Sequence, residues 1–304
     1  MPSTGEIVTP AAPMPRTPVT FDVPAGACDC HVHVIPDPAR FPFAPERVYT
    51  PPLATADELL ALQRLLHLDR VVIVHPSIYG TDNSATLDGM RRLGRARARG
   101  VAVIDERTSA AALDDMASAG MVGLRVNLET VGEVDPRASA RKLQAAAELA
   151  KDRLWHLQVY TRLPVIAALA EQLRGLPVPL VIDHFGGARA ELGLQQPGFD
   201  TLLALLRAGN TYVKISGCYR SSSATPDYAD TAPLAQALIA ANPERVVWGT
   251  DWPHPDAGRG RPRDVTPYYP IDDGNVLNQL ARWAPDPAVR KKILVDNPAR
   301  LYGF

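Results

Sequence analysis

Asp29-Cys30-His31-Val32-His33 is the stretch on which the reading of this chain turns. It follows a proline-rich leader and has the composition of a first β-strand. Side chains alternate faces along a strand, so His31 and His33 are expected to point the same way. Two imidazoles on one face at a strand end can ligate a metal or polarise a substrate oxygen. By the same alternation Cys28 and Cys30 share parity with Val32. They are expected to face the outer helices as small buried residues, away from the histidines.

Outward from this stretch, apolar β-rich runs recur at intervals that suit β/α units. After Ala27 to His31 come Arg70 to His75, Val101 to Ile104, Gly123 to Asn127, His156 to Tyr160, Pro179 to His184, Thr211 to Ser216 and Arg245 to Gly249. Segments with helical period and end signals lie between them. Thr55-Ala56-Asp57-Glu58 is a capping box. A helix from Asn83 or Ser84 is expected to run through the Arg91 to Arg99 cluster and end at Gly100, with cations at the negative end of the helix dipole. Ser109 to Ala119 ends at Gly120, and Pro287 after Asp286 opens a last helix. Eight strands alternating with helices predict a single-domain α/β fold, a (β/α)₈ TIM barrel over residues 24–304, preceded by a Pro-rich arm at 1–23. A doubly wound open sheet would carry a glycine-rich fingerprint after the first strand, and none is present.

Composition narrows the function. The 304 residues carry 32 basic and 33 acidic side chains, a net charge of −1, so no global field favours nucleic acid or a membrane surface. No apolar run reaches the ~18 residues of a membrane helix. The arm has no apolar segment of signal-peptide type, and a cytoplasmic location is expected. The three cysteines, Cys28, Cys30 and Cys218, are an odd set that argues against a disulfide framework. The expected partner is a small molecule, with a homo-oligomer left open.

In a barrel, residues at the C-terminal strand ends share one mouth. His31 and His33, His75 and Ser77, Arg125 and Asn127, Tyr160, His184, Lys214 and Ser216, and Asp251 all fall there. Four of the seven histidines are among them, which asks for a common cause. Ordinary readings stand beside the functional ones. His75 could be a satisfied core histidine, Ser77 a turn cap, Asn127 a loop tie, Lys214 a rim residue and Arg220 a solvated loop residue.

The motifs His31-x-His33, Asp183-His184 and Gly249-Thr250-Asp251-Trp252-Pro253-His254-Pro255 resemble the amidohydrolase superfamily, in its amidohydrolase-related branch. Within that branch the likeness is to the lactonases of 2-pyrone-4,6-dicarboxylate. It is carried also by Phe41-Pro42-Phe43 with Tyr49, Gly80-Thr81-Asp82-Asn83, Gly123-Leu124-Arg125, Pro270-Ile271-Asp272-Asp273-Gly274 and Asn297-Pro298-Ala299-Arg300-Leu301-Tyr302. The resemblance implies lactone hydrolysis by water activated at Asp251, with His31, His33 and His184 polarising the carbonyl. It implies substrate contacts from Tyr49, His75, Ser77, Arg125, Tyr160 and Arg220, the two arginines serving as carboxylate anchors.

Most of the superfamily holds one or two divalent ions. Here Arg125 stands on strand four where a lysine or glutamate ligand would be, and Tyr160 stands on strand five in place of a histidine. The lactonases that this chain resembles work without metal, so the resemblance implies no metal cofactor. The alternative is one Zn²⁺ on His31, His33, His184 and Asp251. The chain also departs from those lactonases at Val131, where they resemble it but carry a second arginine, and at Tyr79, where they have a histidine. A lactone with one carboxylate or a sugar-acid lactone then fits as well as the pyrone dicarboxylate. Arg259, Arg261 and Arg263, in the long segment after strand eight, are candidates to replace the missing clamp. Alternative activities are a sugar-acid lactone isomerase and a Zn-dependent hydrolase or decarboxylase of the same superfamily.

Overall fold

Eight short parallel strands succeed one another in chain order, each hydrogen-bonded to the next. They are β1 (Cys28–Val32), β2 (Arg70–Val74), β3 (Ala98–Ala102), β4 (Met121–Asn127), β5 (His156–Tyr160), β6 (Leu180–Ile182), β7 (Thr211–Ser216) and β8 (Val246–Gly249). The ring closes where β8 runs out beside β1. Asp251 N donates to His31 O at 2.9 Å and His33 N to Trp252 O at 2.8 Å. This is the (β/α)₈ barrel expected from the pattern of runs. The computed structural model describes residues 12–130, 132–133, 135–256 and 262–304.

The alternation of side chains separates two cores. Val71, Ile73, Leu157, Val159, Val213 and Ile215 face outward and pack with Leu59, Leu62 and Leu202 of the helices. Val72, Val74, Val101, Val181, Tyr212 and Val247 face inward and fill the lumen. Cys28 and Cys30 belong to this inner cluster, against expectation. The cause is a register shift against β2 between Asp29 and Val32. Such a bulge adds one residue and lets neighbours share a side. Strict alternation therefore fails here, and His31 turns inward although Cys30 does too.

The helix ends mostly follow local chemistry. Thr55 and Glu58 form the reciprocal cap, with Glu58 N donating to Thr55 Oγ1 at 3.2 Å and Thr55 N to Glu58 Oε2 at 2.7 Å. Ser109 caps the helix Ala110–Ala119, and Gly120 ends it in the left-handed conformation. The helix Ser84–Leu93 stops short of its predicted end, because Gly94 rather than Gly100 closes it. Gly100 lies inside β3, where a Cβ would come 2.4 Å from Met90 Sδ and 2.5 Å from Met121 Sδ. β3 thus starts three residues earlier than Val101 and takes in the last of the arginines.

From residue 12 the arm is a strap over the β8 side of the barrel. Pro13 O accepts from Trp252 Nε1 at 2.9 Å, Thr17 Oγ1 donates to Asp272 Oδ2 at 2.8 Å, and Thr20 N to Asn278 Oδ1 at 2.8 Å. Among the described residues no helix is long and apolar enough to cross a membrane.

Candidate active site

Asp251 is the residue around which the mouth is built. Asp29, on β1, accepts from Thr250 Oγ1 at 2.6 Å, Thr250 N at 3.0 Å and His31 N at 3.1 Å. This single buried carboxylate ties the start of the site on β1 to its end after β8. A side chain at Gly249 would meet His31 N at 2.8 Å, so glycine lets the two strands close at this level. Asp251 and His184 both adopt the left-handed conformation, with φ of 68° and 48°. That costs on the order of 1–2 kcal/mol for each residue, and it aims both side chains at one point.

At that point three imidazoles surround one carboxylate oxygen. Asp251 Oδ1 lies 3.5 Å from His33 Nε2, 3.6 Å from His31 Nε2 and 3.9 Å from His184 Nε2. The other oxygen, Oδ2, accepts from Tyr219 Oη at 2.7 Å and Arg220 Nε at 2.5 Å. Burial alone would push the Asp251 carboxyl up. The Arg220 guanidinium and the imidazoles outweigh it and hold the group well below the usual carboxylate range. Asp251 is therefore ionised throughout the neutral range.

Each imidazole is oriented by its other nitrogen. His33 Nδ1 faces Val74 O at 2.8 Å, and a carbonyl only accepts, so Nδ1 carries the hydrogen. His184 Nδ1 lies 3.0 Å from Ser216 Oγ. Burial pulls His184 down to about 4 and His31 well below its ordinary value, so both are neutral near pH 7. Beneath them a buried network fills the lumen. Asp183 Oδ2 accepts from Arg125 Nε at 3.1 Å and Gln158 Nε2 at 3.0 Å. Lys214 Nζ donates to Gln158 Oε1 at 2.8 Å. Lys214 is fully buried, so the rim position considered from sequence is replaced by a place in the floor.

Above the floor is an open pocket lined by His33, Tyr49, Pro76, Ser77, Arg125, Asn127, Thr130, Tyr160, His184, Arg220 and Pro255. The structure thus brings Asp251, His31, His33 and His184 together and places Tyr49, Ser77, Arg125, Tyr160 and Arg220 on the walls beside them. Tyr160 packs edge-on to His184, with ring centroids 4.9 Å apart. The guanidinium carbons of Arg125 and Arg220 lie 5.5 and 5.8 Å from its ring centroid. Both arginines bind carboxylates of the floor through Nε. Among the described residues their terminal nitrogens have no hydrogen-bond partner, so they remain available to an anion.

His75 is not brought to the pocket. Its Nδ1 pairs with Thr86 Oγ1 and its Nε2 with Gly80 O, both at 3.0 Å, which uses up the ring. It pins the segment that carries Ser77, the satisfied-core reading. Tyr79 is buried off the pocket lining. Arg263 is exposed and is not among the residues that line this pocket, while Val131, Arg259 and Arg261 fall outside the described residues. Tyr219 and Thr130 were not anticipated. Tyr219 sits on the turn Cys218–Ser221 that also presents Arg220, and only the fold reveals that turn.

Among the described residues His31, His33 and Asp251 bring ligand atoms within 4.8 Å of one another and could hold a divalent ion, whereas His184 falls outside that group. Asp251 Oδ1 and His31 Nε2 are both buried without a hydrogen-bond partner. The histidine-to-carboxylate distances of 3.5–3.9 Å lie close to the edge of a tetrahedral shell, which is ~3.3–3.6 Å for zinc bonds of ~2.0–2.2 Å.

Comparison with known proteins agrees with this geometry. The model of the amidohydrolase family matches residues 28–304. The chain is 36% identical over 293 residues to a 4-sulfomuconolactone hydrolase of Hydrogenophaga intermedia, covering 94% of this chain and 91% of the relative. It is 35% identical over 291 residues to a 2-pyrone-4,6-dicarboxylate hydrolase of Comamonas testosteroni, covering 93% and 92%. It is 31% identical over 290 residues to a D-galactarolactone isomerase of Agrobacterium fabrum, covering 92% and 91%. With a closed barrel, a mouth of histidines and aspartate, and a match along nearly its whole length, the chain belongs to the amidohydrolase family.

Proposed function

We propose that this chain hydrolyses a small lactone that bears an acidic group. One observation carries the reading: an ionised aspartate ringed by imidazoles lies buried beneath a pocket lined by His33, His184 and two arginines. Arg125 and Arg220 give their Nε to Asp183 and Asp251 and line the pocket wall, where their guanidinium groups favour an anionic substrate. Two of the relatives are hydrolases named for acidic lactones, a sulfomuconolactone and a pyrone dicarboxylate.

The chemistry is acyl transfer to water. Asp251 Oδ1 accepts a proton from water as its oxygen attacks the lactone carbonyl, forming a new C–O bond. The carbonyl oxygen becomes an oxyanion beside the imidazoles. The ring C–O bond then breaks, the carbonyl re-forms as a carboxylic acid, and the proton passes to the departing ring oxygen. An imidazole N–H aimed at such an oxyanion is worth roughly 3–4 kcal/mol per donor in other enzymes. Arg125 and Arg220 hold the acidic substituent, and Tyr49, Ser77 and Tyr160 supply hydroxyls to the ring.

We propose that this runs without a metal. The second reading, one divalent ion on His31, His33, His184 and Asp251, is favoured by the unpartnered Asp251 Oδ1. Such an ion would supply Lewis acidity and a more acidic water. Chelator-stripped protein, checked by elemental analysis, assayed on a panel of acidic lactones in ¹⁸O-water tests both readings. Turnover with one solvent oxygen in the product supports the proposal. A product without ¹⁸O means intramolecular isomerisation, and activity that returns only with Zn²⁺ means the metal reading.

A further inference from the structure

The Pro-rich arm has no part in the chemistry above, yet from residue 12 it is bonded to both elements that hold Asp251. Met14, Val19 and Phe21 pack on the outer core, so the arm is seated along its length. The first element is the segment that follows β8. Asp251 and His254 there have φ of 68° and 65°, a conformation that side-chain-bearing residues keep only when their surroundings impose it. Trp252 stands between them with its ring fully buried. A buried indole N–H needs an acceptor, and the arm supplies it, Pro13 O at 2.9 Å. The second element is the helix Asp273–Trp283. Asp272, just before it, accepts from Arg16 N at 3.0 Å, Thr17 N at 3.1 Å and Thr17 Oγ1 at 2.8 Å. Thr17 O lies so close over Gly274 that a Cβ there would come within 1.9 Å of it. The neighbouring Asp273 Oδ2 pairs with His254 Nε2 at 3.0 Å, both groups fully buried. His254 N in turn donates to Asp251 O at 2.9 Å. The His254 ring also meets Tyr219 edge-on, with centroids 5.5 Å apart, and Tyr219 Oη donates to Asp251 Oδ2.

We infer that residues 13–17 of the arm are a positioning element of the active site, holding the segment 250–254 so that Asp251 Oδ1 stays between the imidazoles. Two routes carry the constraint, one through Trp252 and one through the start of the helix and His254. The inference rests on the reading of Asp251 as the reacting carboxylate, and it is the same whether that carboxylate serves as base or as ligand. It also separates two functions of the mouth. Arg125 and Tyr160 belong to β4 and β5, and Ser77 follows β2, so these pocket-lining residues stand on elements to which the arm is not bonded. Release of the arm therefore displaces the reacting group and leaves those substrate contacts in place. A third anchor, Asn278 Oδ1 accepting from Thr20 N at 2.8 Å and Thr20 Oγ1 at 2.9 Å, lies farther along the helix and reaches neither route.

The test releases the arm in the full chain without touching the pocket. Gly274→Ala sets a Cβ against Thr17 O, and alanine is the better helix former, so the damage falls on the arm. Asp272→Ala removes the acceptor of the Arg16 and Thr17 bonds and serves if the first variant does not fold. Release is read from the Trp252 indole ¹H–¹⁵N signal, assigned with W252F. Hydrogen–deuterium exchange of peptides spanning 250–254 reads the segment itself, where the Asp251 and His254 amides are hydrogen-bonded. The expected result is a shifted indole signal and faster exchange at 250–254, with β4 to β6 unchanged. On 2-pyrone-4,6-dicarboxylate, or the best acidic lactone of the panel, kcat falls about 10²-fold, the loss for a misplacement of ~1 Å, with KM little changed. Asn278→Ala, which loosens the distal anchor, leaves kcat unchanged. Wild-type exchange and kcat in a variant whose indole signal has shifted overturn the inference. So does an indole signal that stays in place in both variants. A loss of kcat in Asn278→Ala equal to that in Gly274→Ala overturns it as well, since general destabilisation then explains both. Absence of lactone turnover by the wild type would sink the hydrolase reading, while exchange at 250–254 would still decide the coupling.

Discussion

Arg125→Met separates substrate recognition from fold support. Arg125 is almost wholly buried, gives its Nε to Asp183 and points its free nitrogens into the pocket beside Tyr160. Methionine keeps much of the stem and removes the charge. Truncating one side of a desolvated charged pair costs about 2–5 kcal/mol. Asp183 keeps Gln158 and Lys214, so part of this cost falls on the floor network rather than on the substrate. Assigning 2–3 kcal/mol to the substrate gives a fall in kcat/KM of roughly 30–150-fold. A neutral lactone of the same ring loses at most an ordinary hydrogen bond, ~0.5–1.5 kcal/mol or under about tenfold. The assay compares kcat/KM for an acidic and a matched neutral lactone in both proteins, with urea unfolding to track the fold. Equal losses on the two lactones would refute the role of Arg125 as an anion anchor.

Three further outcomes follow from the same structure. Gly123→Ala drives a Cβ to within 2.3 Å of the His156 ring, which packs on Tyr302, and urea unfolding should show a loss of about 1–3 kcal/mol from overpacking. Thr55→Ala removes the reciprocal cap and should cost ~1 kcal/mol without touching kcat. Burial, aided by the Lys214 ammonium, pulls His156 down to about 3. The unfolded chain then binds the extra proton near its ordinary pKa and the folded chain does not. Stability from this group is intact above about pH 6.5 and declines below it by ~1.4 kcal/mol per pH unit. The stability gap between wild type and His156→Leu should be flat above pH 7 and change with that slope between pH 6 and 5. A gap independent of pH would rule this out.

The sequence carried the barrel because its strands are short apolar runs separated by capped helices, and those signals are local. It carried the histidines and Asp251 because the fold puts strand ends at one mouth. It misplaced what depends on exceptions to periodicity. The bulge in β1 turned Cys28 and Cys30 into the lumen, and no residue in Asp29-Cys30-His31 announces it. Gly100 looked like a helix stop because its real constraint, the two methionine sulfurs above it, comes from elsewhere in the chain. His75 has the same strand-end position as His31, and only the Thr86 and Gly80 partners show that it is spent on structure. Lys214 reads as a strand-end or rim residue, and Gln158 gives no signal, until the lumen closes around them.

The central claim is that Asp251 activates the water, and Asp251→Asn tests it most directly. Asparagine keeps the shape and the contact with Tyr219 but cannot take the proton. On the best acidic lactone, kcat of the chelator-treated variant should fall about 10²–10⁴-fold, the range expected for loss of a general base, while the circular dichroism spectrum stays unchanged. A folded variant that retains kcat within a few-fold of wild type would contradict the account.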